Sequence, residues 1–434
     1  MEGGIPMKRK MLIFIIIAVV IVIGSTAYYM AQQGLFVDEK ARVGQPIADP
    51  VNDIEPINDL EPVNDLEEPD NDVAPVVEPV LEIVAEGLGL IWAIDFLPGT
   101  SKLLANENSG SMFLIDTETL EIAEITGTPE VDSSSQGGLL DLAVSPDFEE
   151  DNLIYLTYSA ANEAGASATH LARAKLDLAG QNLNNFEVLY IAEPFLNSTA
   201  HYGSRVVIQG NYLYMTSGDR GDKNFEDHVS QDTTNALGTT IRLLRDGTIP
   251  EDNPFVDDPD VLNEIYTYGH RNSQGMAIHP ETGEIWQSEH GERDGDEINI
   301  IYGGNNYGWP LATYGCTYAA GQDIGVLPEE RDDTINPMHY WECGSGGFPP
   351  AGMTFYDADG FTGWQGDLFV GGLAAQYLAH FRVTDDGLEE LDPLLAEEGW
   401  RVRDVTVGHH DGAIYAAVEG RSVSIVRIVP KPIE

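Results

Sequence analysis

From residue 83 onward one pattern recurs: a turn of Gly, Pro, Asp or Asn followed at once by a short apolar strand. It reads LPGTSKLLANE, SPDFEEDNLIYLTYS, IQGNYLYMTSGD, HPETGEIWQSEHG, FTGWQGDLFVGG and HHDGAIYAAVEG, beginning near residues 97, 145, 208, 278, 361 and 409. Further short β-rich runs lie between the copies, and no long amphipathic helix interrupts them. A unit of this kind cannot bury its apolar face alone and must stack on its neighbours. Six units give about 60 residues each, somewhat above the ~40–50 of common propeller repeats. Six four-stranded blades around a channel satisfy that count, so residues 83–434 are expected to form an all-β, six-bladed β-propeller. A β-sandwich is the competing fold, but six similar units favour radial repetition. The wide spacing between 310 and 350 implies long loops, which in a compact domain usually carry function.

Two segments precede the repeats. Lys8, Arg9 and Lys10 stand before an apolar run from Met11 to Ala31. A run of that length can span a bilayer, and the basic flank places its start on the cytoplasmic side. Residues 1–36 are therefore expected to be a transmembrane signal anchor or a cleaved signal peptide; both export the rest. The run is long for a signal peptide, while Ser25-Thr26-Ala27 leaves cleavage open. Residues 37–82 contain the hexads DPVNDI, EPINDL and EPVNDL. Regular Pro and self-repelling acids predict an extended, disordered tether. The body would then face the periplasm or the cell exterior.

The chain carries 72 acidic residues against 22 basic ones, a formal net charge of −50. Nucleic-acid binding rests on Lys and Arg, so it is excluded as a function. Docking of the body on an anionic membrane is disfavoured for the same reason. There are two cysteines, Cys316 and Cys343. In an oxidising compartment one disulfide is open to them; two buried thiols fit equally well. No C-x-x-C pairing supports a zinc site.

Four polar clusters follow the repeated strands. His201, in AHYGSR, with Asp219, in GDRG, is the minimum set for a general base held in one tautomer. Arg271 and Asn272, in YGHRNSQG, offer a planar fork and a neutral donor to a carboxylate or quinone oxygen. The run SEHGERDGDE, residues 288–297, has the carbonyl and carboxylate density of a calcium site without EF-hand spacing. Arg401 and Arg403, in RVRD, share a strand face, where two like charges are costly unless an anion lies between them. Each has a blander reading: a structural His, a surface ion pair, or scattered solubilising acids.

Taken in order, the motifs QGGLL (136–140), SPDF (145–148), His201, GDRG, YGHRNSQG, SEHGERDGDE, NNYGWP and RVRDV resemble the soluble PQQ-dependent sugar dehydrogenases of the glucose/sorbosone dehydrogenase family. The resemblance covers about residues 85–430 and is greatest for the aldose sugar dehydrogenase branch. It implies a six-bladed propeller that uses PQQ and Ca2+ to oxidise an aldose sugar at C1 to its lactone. Electrons would then pass to a quinone or cytochrome. By resemblance, His201 matches the catalytic base and Asp219 the acid that orients it. Gln136, Arg271 and Asn272 match residues that hold the cofactor or activate its reactive carbonyl, and Arg401 and Arg403 match the pair that binds its carboxylates. Gly291 and Glu292 match the carbonyl ligands of the cofactor's calcium, and Asp296 a nearby acid. Glu297 and the Tyr307 carbonyl match a second, structural calcium site.

The chain also departs from the pattern. Ala200 precedes the base where glucose-selective members have Asp, and Ala374 stands in place of a cofactor-binding Lys. Glu292 replaces a usual Pro, which matters little if only its carbonyl is used. The stretch Trp341–Pro350 is longer than usual and borders the expected substrate mouth. Two other classes stay open: a calcium-dependent propeller hydrolase of the lactonase kind, and a non-catalytic propeller that binds glycans or proteins.

Overall fold

The computed structural model describes residues 77–432. The expected anchor (1–36) and nearly all of the hexad segment lie outside the described residues. Among the described residues no helix is long and apolar enough to cross a membrane.

Among the described residues twenty-four strands, β1–β24 in chain order, form six four-stranded antiparallel sheets. The innermost strands are β2 (Ile91–Phe96), β6 (Leu139–Val144), β10 (Val206–Gln209), β14 (Ser273–Ile278), β18 (Pro350–Phe355) and β22 (Arg401–Gly408). Each packs beside the next, and β22 returns to β2, so the sheets are the blades of a closed six-bladed propeller. The six sequence repeats all turn out to be the same element, the hairpin from an innermost strand into the second strand of its blade. Those second strands are β3 (Lys102–Glu107), β7 (Leu153–Ala161), β11 (Tyr212–Ser217), β15 (Ile285–Glu289), β19 (Leu368–Gly372) and β23 (Ala413–Glu419). They are covered by a blade on each side and buried along nearly their whole length. That is why they read as continuous rather than alternating apolar runs.

The start of the domain needs a correction. Residues 77–82, read from the sequence as the end of the tether, are the first half of β1 (Val77–Glu86). This strand pairs with β24 (Val423–Pro432), from Val77 opposite Pro432 to Glu86 opposite Val423, and completes the last blade. Val-Glu-Pro-Val looks like one more hexad, but Pro is tolerated in an outermost strand, and Pro79 lies opposite Pro430. Glu82 is held by Arg427 at 2.9 Å and Lys431 at 3.0 Å. We expect a chain beginning at Val77 to fold, and one beginning at Gly87 to leave β24 as a bare edge that self-associates. Size-exclusion chromatography of the two truncations checks this.

The axis is plugged. Arg205, just before β10, donates to Asp141 of β6 at 2.8 Å and to Asp404 of β22 at 2.9 Å. Its Nε donates to the Gln274 carbonyl of β14 at 2.9 Å, and its guanidinium lies 4.6 Å from the Trp92 ring of β2. One side chain thus joins five blades. Around it Asp95, Asp141 and Asp404 accept the backbone N–H groups of Val144, Val206 and Ile94, each from the next innermost strand.

Candidate active site

In antiparallel blades the links between second and third strands, and the links between blades, emerge on one face. The polar clusters all lie in such links or at their edges. At that face a cavity of about 400 Å³ is lined by Trp92, Asn108, Gln136, Gln274, His290, Ala374, Arg401, Arg403 and Glu419, among others. Three of these are there because of β-bulges. The register between innermost and second strand slips at Trp92 in β2, at Gln274 in β14 and at Arg403 in β22. A bulge adds one unpaired residue and re-aims its side chain. At β22 it lets Arg403 reach the cavity while the next residue, Asp404, reaches the axis.

His201 sits in the link between the second and third blades. Its backbone is left-handed, at φ 49°, a conformation that costs a non-Gly residue energy and must be held by its surroundings. Several contacts hold it. Its N–H donates to Gln136 Oε1 at 2.8 Å. Gly218 passes so close that a Cβ there would lie 2.2 Å from the His201 carbonyl. Arg220 of the same GDRG run donates to the carbonyls of Ala200, Ser167 and Ser198, stapling the loop. Asn272 Oδ1 accepts the Gly203 N–H at 3.2 Å.

The imidazole is oriented by Asp219, whose Oδ1 lies 2.7 Å from His201 Nδ1. Asp219 is 1% exposed. It also accepts from the Gly221 N–H at 2.8 Å and from Trp309 Nε1 at 3.0 Å, with His228 at 3.4 Å. Burial pushes its carboxyl up, but hydrogen bonds from His201 and His228 win and hold it well below the usual range. Burial, helped by the Arg271 charge, lowers the His201 pKa against the pull of Asp219. The pair is therefore a neutral imidazole with its Nδ1 proton on a fixed carboxylate and Nε2 left as the base.

Arg271 lies beside this pair, with the Asp219 N–H bonded to its carbonyl at 2.8 Å. Its side chain donates to the His290 carbonyl at 3.2 Å and to Glu292 Oε2 at 2.7 Å, and lies 5.3 Å from the Trp309 ring. Glu292 also binds Lys223 and is 6% exposed. The sequence reading gave its side chain little weight; in the fold it is the buried partner of Arg271. Burial and Arg271 together bring the pKa of neighbouring His290 down to about 3, so its ring is neutral. His290 belongs to a quoted motif, but nothing in the spacing marked it as a cavity wall.

Arg401 and Arg403 do share the cavity wall, and the anion between them is part of the chain. Glu419 Oε2 lies 3.0 Å from Arg401 Nε, and Oε1 lies 2.5 Å from an Arg403 terminal nitrogen. The Nε atoms of Arg271 and Arg403 are buried without a hydrogen-bond partner. Two guanidinium groups on the cavity wall, with Arg271 behind His290, fit a multiply anionic, planar ligand.

A second, smaller void of about 10 Å³ lies behind Arg271, lined by Glu289, Gly291, Glu297 and Tyr307 among others. Burial, with the charge of Glu289 adding to it, raises the Glu297 pKa well above the usual value. Two buried carboxylates against a void of one atom's size suit a hard cation. Among the described residues no group of three or more His, Cys, Asp or Glu is arranged to hold a metal ion. Carbonyl oxygens would have to complete any such site. Asp296 is a framework residue: it accepts the Gly291 N–H at 3.0 Å and the Phe348 N–H at 2.8 Å, and burial raises its pKa to about 6.

The long insertion climbs beside β13 (Ile265–Tyr268), with Tyr307 N–H on the Tyr268 carbonyl and Trp309 N–H on the Gly269 carbonyl. The Cys316–Cys343 disulfide then pins it to the stretch at the mouth. There Gly344 N–H donates to Asp294, and Pro349 lines the cavity.

The family model for glucose/sorbosone dehydrogenase matches residues 88–427. The chain belongs to this family. It is 33% identical over 356 residues to the aldose sugar dehydrogenase YliI of Escherichia coli, covering 81% of this chain and 93% of that protein. It is 31% identical over 244 residues to quinoprotein glucose dehydrogenase B of Acinetobacter calcoaceticus, about half of each chain. The crystal structure of the apo E. coli aldose sugar dehydrogenase superposes with a TM-score of 0.76 at 33% identity, covering 82% of this chain and all of that one. The PQQ-bound aldose sugar dehydrogenase of Streptomyces coelicolor gives 0.64 at 25% identity, again covering 82% of this chain and all of that one. As a glucose/sorbosone dehydrogenase family member, this chain brings His201, Asp219, Gln136, Arg271 and Asn272 into one bonded cluster. Arg401 and Arg403 stand across the cavity, and Gly291, Glu297 and Tyr307 line the small void.

Proposed function

We propose that this chain oxidises an aldose at C1 to its lactone, using PQQ held by Arg401, Arg403, Gln136, Asn272 and Arg271. Calcium would be carried by the Gly291 and Glu292 carbonyls, with a second ion at Glu297 and the Tyr307 carbonyl. The observation that carries the reading is the neutral His201–Asp219 pair beside Arg271, with the Arg401–Arg403 pair on the wall of the cavity. The PQQ-bound relative supports the cofactor. When bound, PQQ supplies a two-electron acceptor, polarised by the metal. His201 Nε2 takes the proton of the sugar's C1 hydroxyl, and Asp219 stabilises the imidazolium that results. Arg271 adds fixed positive charge where negative charge develops. Electrons then leave to an external acceptor, a quinone or a cytochrome. The disulfide and the N-terminal apolar run support work in the periplasm or outside the cell.

The test is reconstitution of the purified protein with PQQ and calcium, followed by dye reduction with a panel of aldoses. A lactone-hydrolysis assay runs beside it. Dye reduction that needs both additions supports the dehydrogenase; lactone hydrolysis without PQQ would overturn it. A pH profile adds a signed expectation. A base whose pKa lies below the ordinary ~6.5 of histidine stays neutral, and active, on the acid side of that value. The rate should therefore fall only as pH drops below that value. Asp219→Asn removes the group that raises the His201 pKa, so its acid limb should move further down while the maximum rate drops.

A further inference from the structure

The sequence predicts that Arg401 and Arg403 repel each other until a ligand arrives, yet the fold supplies a carboxylate for them. Arg401 and Glu419 are directly opposite residues of β22 and β23. The bulge at Arg403 brings the second guanidinium to the other oxygen of the same carboxylate. Glu419 is thus bidentate across the pair, and it lines the same cavity. Its side chain is only 24% exposed. The remaining neighbours of Arg403 are weaker: Gln274 Oε1 at 3.4 Å, and an Nε with no partner.

We propose that Glu419 is a resident stand-in for the cofactor's carboxylates, one that offsets half the charge of the arginine pair until an anion enters and opposes the anion's entry. This rests on the reading of the cavity as a PQQ site. An incoming carboxylate that reaches either guanidinium must displace one Glu419 oxygen or lie beside its negative charge. Both outcomes subtract from the charge-assisted bonds the ligand gains. The exchange makes affinity a difference between two ion pairs rather than the full strength of one. Ala374, on the same wall, leaves no lysine to offset it.

The experiment compares wild type with Glu419→Gln by calorimetric titration with PQQ in the presence of calcium. Gln keeps the size and removes the charge, so the variant should bind PQQ about tenfold more tightly, or 1.4 kcal/mol. PQQ should also raise its melting temperature by more than in wild type. Equal or weaker binding by Glu419→Gln would show that Glu419 positions the arginines and would overturn the idea. Isophthalate, a planar dicarboxylate, serves as a second probe. If neither protein binds PQQ, the proposed function fails, while tighter isophthalate binding by the variant still supports the stand-in, and unchanged binding sinks it. Should Glu419→Gln not fold, Glu419→Asp, too short to span both guanidinium groups, is expected to shift affinity the same way.

Discussion

Replacing His201 with alanine is expected to cut sugar-dependent dye reduction by ~10²–10⁴-fold, the usual cost of removing a general base. The argument rests on geometry. Nδ1 is committed to Asp219 at 2.7 Å, and Asp219 is fixed by Gly221 and Trp309, so Nε2 is the proton acceptor that remains. Arg401 and Arg403 stand on another blade and pair with Glu419, and the Arg271 side chain bonds to His290 and Glu292, so PQQ affinity should change little. Stopped-flow reduction with saturating PQQ separates the two effects. Turnover within threefold of wild type would remove His201 from the mechanism. A loss of cofactor binding equal to the loss of rate would mean that the left-handed loop, rather than the base, had failed.

Replacing Arg205 with leucine should strongly destabilise the domain. Asp141 is 1% exposed and Asp404 4%, and Arg205 is the cation paired with both. Breaking a buried ion pair by removing one partner costs about 3–5 kcal/mol. Urea unfolding should show that loss as a lowered midpoint. The pH dependence has a definite sign. Burial raises the pKa of both carboxyls above the unfolded value, despite Arg205. Such groups bind more protons folded than unfolded, so their contribution falls as pH rises from the unfolded pKa through the folded one. Without Arg205 that fall should steepen and extend to higher pH. A variant as stable as wild type across this range would show that the axial plug is decorative.

The blades were legible in the sequence because one physical condition marks them. A strand sandwiched between two blades is apolar on both sides, and its entry turn needs Gly, Pro, Asp or Asn. The boundary at residue 83 was misread because β1 continues the composition of the tether and finds its partner more than 300 residues away. Within the site, His201, GDRG and YGHRN stood out because chemistry-bearing residues sit in Gly-rich links. The bulges at Trp92, Gln274 and Arg403 leave no local signature, since they depend on the register of the neighbouring strand. Glu419 was invisible for a simpler reason. It is one acid among 72, and only strand pairing singles it out as the partner of Arg401. Glu292 was seen, but its side chain was discounted, because a backbone role says nothing about where the carboxylate goes.

The seam between β1 and β24 also sets a schedule. Synthesis makes Val77 well before Pro432, yet the two are opposite residues in one ladder. Five blades can assemble from consecutive stretches as the chain emerges, while the sixth joins β1 to β22, β23 and β24 from the other end of the domain. Until β22 emerges the nascent molecule is an open arc with an uncovered blade face at each end, and the arginine that fastens its axis lacks Asp404, one of its two anchors. Closure therefore comes late: β22 brings the ring together against β2, and β24 then gives β1 its partner.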